Sequence, residues 1–457
     1  MVTLTNNTSY FDYKQIRTTT LSATKSLAYF FSCFFSRYSK KNRIFAGSNL
    51  HFMTPWLRNI ATAFVLLSFG GSLSAQRIDP NDSIRISLSG RSIVTAVPFL
   101  LISPDARSGA MGDVGAASSP DINSQHWNAA KYPFIRDRYG MSVTYSPWLR
   151  TLVPDMNLLY LAGYYRVDDL SAFAGSLRFF SLGTVHFRES SDDPGIPYNP
   201  NEYAIDLSYS RKLSEHFSLA VTGRYIRSDL TQGYSGTGAS RASPANSGAA
   251  DVSMYYARDL KALSGTEGSS FALGMNISNI GAKLSYSQNL DAKDFLPANL
   301  RLGGAYTLQV DRHNEVTVLL DFNKLLVPTP QLRDTSASSR DPKEMEVMES
   351  IFSSFSDAPG GFSEEMREIY ISAGLEYWYN QTFAVRGGYF HENKYKGGRQ
   401  YFTLGAGLRF NVFEIDFSYL LPSANNATNP LKNTLRFTLK FNFSEYMSRQ
   451  STTPSSP

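Results

Sequence analysis

From residue 139 onward, apolar and polar positions alternate every second residue, the period of a strand with two different faces. Leu435, Phe437, Leu439, Phe441 and Phe443 alternate with Arg436, Thr438, Lys440 and Asn442. Tyr203, Ile205, Leu207 and Tyr209 do the same against Ala204, Asp206 and Ser208, as do Phe413, Ile415, Phe417 and Tyr419 against Glu414, Asp416 and Ser418. The pattern predicts fourteen strands, near 139–149, 156–167, 170–181, 202–212, 216–230, 249–259, 268–279, 298–309, 314–327, 368–379, 382–391, 399–409, 413–421 and 432–443. In a soluble sandwich the apolar face would be the core. In an outer-membrane barrel it would meet lipid, and an even strand number closes such a barrel with both ends on one side.

Connection lengths separate these two folds. The connections after odd strands are long (182–201, 231–248, 280–297, 328–367), and those after even strands are mostly tight, as at Val167-Asp168-Asp169, Asp311-Arg312-His313 and Asn380-Gln381. Outer-membrane barrels alternate in this way, with long extracellular loops and short periplasmic turns, whereas a sandwich has no reason to. Aromatic groups at strand ends, Tyr164-Tyr165, Tyr255-Tyr256 and Tyr377-Trp378-Tyr379, suit interfacial girdles. The expectation is a 14-stranded antiparallel transmembrane β-barrel over 139–443.

Composition alters this picture mainly at the N-terminus. The formal charge is +5, yet residues 1–75 carry eight of the Lys and Arg and one acid, so the remainder holds 36 bases against 38 acids. Nucleic-acid binding therefore has no compositional support. From Met53, one arginine (Arg58), an apolar run Ile60–Phe69 and small residues ending at Ala75 follow signal-peptide order. The run is about half the roughly 20 residues a transmembrane helix needs. Residues 53–75 are thus read as a signal peptide and 1–52, which include Cys33, the only cysteine, as an upstream extension before the usable start. A mature chain without cysteine has no disulfide, no cysteine metal site and no lipid anchor of the lipoprotein type. The polar tail 444–457 reads as disordered.

Between signal and barrel lies "FLLISPDARSGAMGDVGAASSP", with Gly109, Gly112 and Gly115 spaced three apart. A dinucleotide loop requires G-x-G between a strand and a helix, and this spacing does not supply it. Small residues here suit a plug packed against the barrel wall, since glycine accepts close backbone approach. Segment 76–138 is therefore expected to form an N-terminal hatch in the lumen, with Asp105, Arg107, Gly109, Gly112, Gly115, Trp127 and Asn128 as its structural residues.

These residues carry a resemblance. "SPDARSGAMGDVGAASSPDINSQHWNAAKYPF" is similar to the hatch of FadL-like outer-membrane barrels. The stretches "YSPWLRTLVPDMNLLYLAGYY", "LPANLRLGGAYTL", "FSDAPGGF" and "EYWYNQTFAVRGGYFHENKYKGGRQYFTLGAGLRFNVFEIDFSYLLP" resemble, in order, the PorV family of the type IX secretion system over roughly 91–443. The resemblance implies an outer-membrane protein of Bacteroidota-type bacteria that is not a catalyst and needs no cofactor. Such a protein binds the C-terminal signal domain of cargo at the translocon barrel and shuttles it to a cell-surface sortase and attachment complex. Asn128-Ala129-Ala130 stands where general FadL proteins have Asn-Pro-Ala, a departure that weighs against the alternative, a channel for hydrophobic small molecules.

Three groups of residues are candidates for function. In 328–367, Asp341, Pro342 and Glu344 read as a helix start, and Met345, Met348, Ile351, Phe352 and Phe355 share its apolar face. That face would either pack on the barrel's own mouth or be offered to the translocon or signal domain, where methionine adapts to varied partners. The lumen-facing charges Asp206, Arg224, Asp321, Glu376, Arg409, Glu414, Asp416, Arg436 and Lys440 would either line a solute path or pair with one another and with Asp105 and Arg107, because unmatched buried charge is costly. His126, His186, His216, His313 and His391 form no catalytic or metal motif. A catalytic site, a metal site and a bound cofactor are accordingly not expected, and the implied partners are the translocon, the signal domain, the surface attachment complex and outer-membrane lipid.

Overall fold

The computed structural model describes residues 92–150, 153–188, 195–230, 243–262, 265–286, 293–330, 344–423, 431 and 434–443. The upstream extension 1–52, the signal peptide 53–75, the start of segment 76–138 and the tail 444–457 lie outside the described residues.

Fourteen antiparallel strands form one closed barrel. They are β1 Tyr139–Pro147, β2 Asn157–Arg166, β3 Ser171–Ser181, β4 Asn201–Lys212, β5 Phe217–Asp229, β6 Ala245–Leu260, β7 Gly268–Gly281, β8 Asn299–Gln309, β9 Asn314–Leu325, β10 Tyr370–Tyr379, β11 Phe383–His391, β12 Gln400–Phe410, β13 Phe413–Pro422 and β14 Leu435–Asn442. Each strand pairs with its neighbour in sequence, and β1 pairs with β14 to complete the ring. Closure removes the unpaired edges an open sheet would expose. A two-stranded hairpin, Val185–Phe187 with Ile196–Tyr198, sits inside the β3–β4 connection, where the sequence pattern marked only a loop.

The faces are inverted relative to a soluble protein. Leu207 is 71% exposed and Val221 60%, while Asp206 is 3% exposed and Ser208 4%. Hydrocarbon is the medium that makes this arrangement stable, because polar groups turn to the lumen and apolar ones to lipid. Among the described residues no helix is long and apolar enough to cross a membrane. The aromatic doublets do not act as intact girdles. Tyr165 and Tyr379 face outward, but Tyr164, Tyr255 and Trp378 are buried in the lumen, since successive strand residues point to opposite faces.

Residues 92–138 fill the lumen. They enter at the end carrying the long connections, where Ala96 N–H donates to Phe295 O (2.9 Å) and Phe99 stacks on Phe180. They leave at the tight-turn end, where Phe134 meets the Tyr255 ring edge-on.

Candidate functional site

The hatch is built from short elements because its residues are small and its contacts are with the wall. Asp105 caps the helix Ala106–Gly109 (α1) by accepting from Ser108 N–H at 2.9 Å, and its other oxygen accepts from Trp127 Nε1 at 2.6 Å. It makes no ion pair within 4.0 Å among the described residues, so the expected charge partnership of Asp105 is replaced by a cap and an indole bond. Trp127, in Ser124–Trp127 (α2), lies under the Arg301 guanidinium at 4.5 Å. Asn128 donates to Ala116 O (2.9 Å) and Met254 O (2.8 Å) and accepts from Ala130 N–H (3.0 Å), tying the hatch both to itself and to β6.

The three glycines divide their work. Gly112, at φ 73°, lies so close to the backbone of Tyr389 and Ala373 that a side chain would strike both. Gly109 packs on the Arg436 guanidinium. Gly115 packs against the Trp127 ring within the hatch and meets the wall through its N–H, which bonds to Asp321 of β9. The wall answers with glycines that the sequence reading missed. Gly274 faces Gly303 across β7–β8, and Gly374 faces Gly388 across β10–β11. The first pair forms a dent that receives Ala116; the second receives Met111 and Gly112. Their signal was present as glycines at inward positions of strands, where an isolated glycine marks close backbone approach.

Polar contacts fix the register. Gly115 and Ala116 N–H both donate to Asp321 (2.8 and 3.0 Å), and Thr403 Oγ1 accepts from Gly112 N–H (2.8 Å) and donates to Ala110 O (2.9 Å). Arg107 makes a forked pair with Glu376 (2.8 and 2.9 Å from Nη2) and reaches Asp121 at 3.2 Å. Lys440 holds Glu414 (3.0 Å), Asp416 (2.8 Å) and Asp121 (3.4 Å). Arg224 bridges Asp206 and Asp251 (2.6 and 2.9 Å) and donates to Asn279. Most of the lumen charges therefore pair rather than line an open path, Arg409 with Glu414 half out at the rim; Asp321 is held by hatch amides instead of a cation, and Arg436 has, among the described residues, only the acid Asp113 at 3.8 Å. Arg386, Asp251 and Asp121 belong to the same networks and were not anticipated, nor were Lys131 and Arg178, which bind hatch carbonyls. His126 is buried against Arg178 and Trp127, unlike a solvated histidine.

The long connection between β9 and β10 departs from its predicted form. The helix runs Val347–Ser353 (α3), capped by a Glu346–Glu349 box, so Met345 and Glu344 precede it; Asp341 and Pro342 lie outside the described residues. Ile351 is buried with Ala298 and Leu326, whereas Met348, Phe352 and Phe355 are exposed at 56, 70 and 50%. The apolar face thus splits: one residue anchors the helix on the mouth and three are left outside. A second helix, Phe362–Glu368 (α4), adds exposed Phe362 and Met366. Its acids are clamped from below: Lys324 binds Glu365 (2.8 Å) and Glu368 (2.6 Å), and Lys396 binds Glu364 (2.6 Å) and Glu368 (3.0 Å). Burial raises the Glu368 carboxyl, but hydrogen bonds from Lys324, Thr329 and Lys396 outweigh it and hold the group below its ordinary value. Asp357, buried beside them, is pushed up. Among the described residues no group of three His, Cys, Asp or Glu could hold a metal ion.

A family model described as type IX secretion system protein PorV matches residues 87–332. The chain belongs to the PorV family. No curated protein matches the chain. Solved structures similar to it include the TodX deltaS2S3 mutant monoaromatic hydrocarbon channel (12% identity over 74% of this chain and 99% of that one, TM-score 0.42). The Pseudomonas putida toluene transporter TodX (10%, 74% and 96%, 0.39) and a Pseudomonas aeruginosa FadL homologue (12%, 78% and 100%, 0.35) are similar at the same level. This PorV-family chain is an outer-membrane β-barrel of the type IX system, with its lumen occupied by its own leading segment.

Proposed function

We propose that this barrel is a non-enzymatic shuttle: it binds the C-terminal signal domain of exported cargo at the translocon barrel and delivers it to the cell-surface sortase and attachment complex. Family membership supports the system. The observation that carries the role is the mouth, where α3 and α4 present Met348, Phe352, Phe355, Phe362 and Met366 to the cell-surface side while Ile351 and the lysine clamp hold the helices in place. A monomeric soluble surface rarely leaves so many large apolar groups together without a partner. Loop docking to these helices is the contact mode this surface favours; strand addition would need an edge outside the closed ring. The alternative, a channel for hydrophobic small molecules, requires the hatch to release the paired Arg107, Asp321 and Thr403 contacts.

The test is a pull-down of purified full-length barrel with a cargo signal domain, beside a deletion strain. Retention of the domain, and cargo accumulating behind the outer membrane in the deletion, are expected. Normal secretion in the deletion, or restored uptake of a hydrophobic substrate by this barrel in a transporter-deficient host without any binding of the signal domain, would defeat the proposal.

A further inference from the structure

A cavity of about 860 Å³ opens at the cell-surface mouth, walled partly by Leu101, Trp148 and Leu431 and floored by hatch residues Ser103 and Asp113 together with Arg436 of β14. Arg436 is the unusual member. Its side chain is 2% exposed, yet among the described residues its Nε has no partner. The carboxylate of Asp113 stands 3.8 Å away, beyond hydrogen-bond range. Asp113 is half-satisfied in turn: one oxygen accepts from Tyr401 OH at 2.6 Å, and the other has no partner among the described residues, like Ser103 Oγ. Of the other cations of this mouth, Arg399 is engaged with Glu392 and Lys396 with Glu364 and Glu368, while Lys394 is exposed and lies over the Tyr395 ring. A buried guanidinium whose Nε lacks an acceptor, beside a carboxylate with one oxygen lacking a donor, is costly unless something supplies both.

The end of a polypeptide supplies both. Its terminal carboxylate offers two acceptors matched to a guanidinium fork, and its last amide N–H is a donor for Asp113. The hatch closes the inner end of the cavity, so a chain cannot pass through it but an end can enter, and the apolar wall suits a final apolar side chain. We propose that the mouth cavity receives the C-terminal end of a polypeptide, with its carboxylate on Arg436, its last N–H on Asp113 and an apolar side chain against Trp148. Resting on the shuttle reading, this assigns the end of the cargo signal domain to the cavity.

The experiment uses purified full-length barrel in micelles and a fluorescent ten-residue peptide ending in leucine, as the free acid and as the C-terminal amide, with octanoate as a third probe. The free acid is expected to bind at least about tenfold more tightly than the amide, as for a lost charge-assisted hydrogen bond, and Arg436→Gln should abolish the difference. Equal binding of acid and amide to the unaltered barrel overturns the proposal without relying on a variant that might misfold. Octanoate binding as tightly as the peptide also overturns it, in favour of a small amphiphile. The intact signal domain separates the two levels. If it binds the unaltered barrel and Arg436→Gln equally well, the cavity assignment fails and the shuttle stands. If it does not bind while the preference for the free acid persists, the shuttle reading fails and the carboxylate site stands.

Discussion

The lumen and the mouth of this barrel are made by the same strands but are finished differently. In the lumen, the hatch cations Arg107 and Lys131 both have partners: Arg107 with Glu376 and Asp121, and Lys131 with Gly115 O and Ser118 Oγ, both at 2.9 Å. At the mouth, Phe352 and Phe362 are 70 and 79% exposed and Arg436 lacks a partner for Nε. Lumen atoms such as Arg386 Nη2 and Asp321 Oδ1 also lack partners among the described residues, so what sets the mouth apart is its exposed apolar surface, which a partner can cover.

The most damaging substitution is steric. Gly388 faces inward, and a side chain there would enter the backbone of Met111 and Gly112. Its neighbour Gly387 faces lipid, and an added Cβ would make only ordinary contacts, with Leu404 at 3.8 Å and the Thr403 carbonyl at 3.9 Å. Gly388→Leu should therefore expel the hatch, costing more than about 4 kcal/mol, the range reserved for buried clashes of this kind. Gly387→Leu should leave it seated. Protease cleavage within 104–128 in the first variant only is the expected readout, and equal resistance in both would remove the role given to the wall glycines.

Next in size is the charge that locks the hatch. Arg107→Ala leaves Glu376 with Arg386 at 3.5 Å but strips its forked partner, so about 3–5 kcal/mol of destabilisation is expected. Heat-induced unfolding of the barrel and protease resistance of the hatch should both fall. If both stay unchanged, the network does not hold the plug.

How much of this was legible follows from which rule governed each part. Alternation over Tyr203–Tyr209 and Phe413–Tyr419 and the long-short rhythm of the connections revealed the barrel because strand period and membrane solvent leave few other solutions. Asp321, Glu376 and Lys440 could be placed in the lumen from the same alternation, but their partners could not, because a chain that folds back through a ring brings Arg107 to Glu376 across 269 residues. Gly274 and Gly374 were visible only as glycines in strands until the hatch showed what approached them. In the β9–β10 connection the described helix begins at Val347, where the Glu346–Glu349 box and the burial of Ile351 fix its first turn; Asp341-Pro342, the local helix-start signal, lies outside the described residues.

At the mouth, the expected effects are on binding rather than folding. Phe352→Ser together with Phe362→Ser removes two exposed rings and no buried contact, so thermal stability should change by less than about 0.5 kcal/mol each. If these rings are anchors for the signal domain or translocon, affinity should fall by about 2 kcal/mol or more, some thirtyfold. An unchanged pull-down from the double variant would move the docking surface elsewhere on the barrel.

The smallest effect concerns the clamp beneath α4. Glu368 has a folded pKa held below its ordinary value near 4.5, so its contribution is fully present above that value and is lost as pH falls through the lower, folded one. Glu364 and Glu365 share the lysines, and Asp357 faces the same cluster. Burial pushes Asp357 up, so its protonation begins at higher pH and favours the folded loop as pH falls, opposing Glu368. The protection factor over Phe362–Glu368, that is exchange corrected for its intrinsic pH dependence, should be constant between about pH 6 and 8 and should fall below about pH 4.5. Glu368→Gln should flatten this profile, and Asp357→Asn should steepen it by removing the opposing gain. A profile that is the same in all three proteins would show that the helix is held by Ile351 and its apolar neighbours, with the lysine clamp adding nothing measurable.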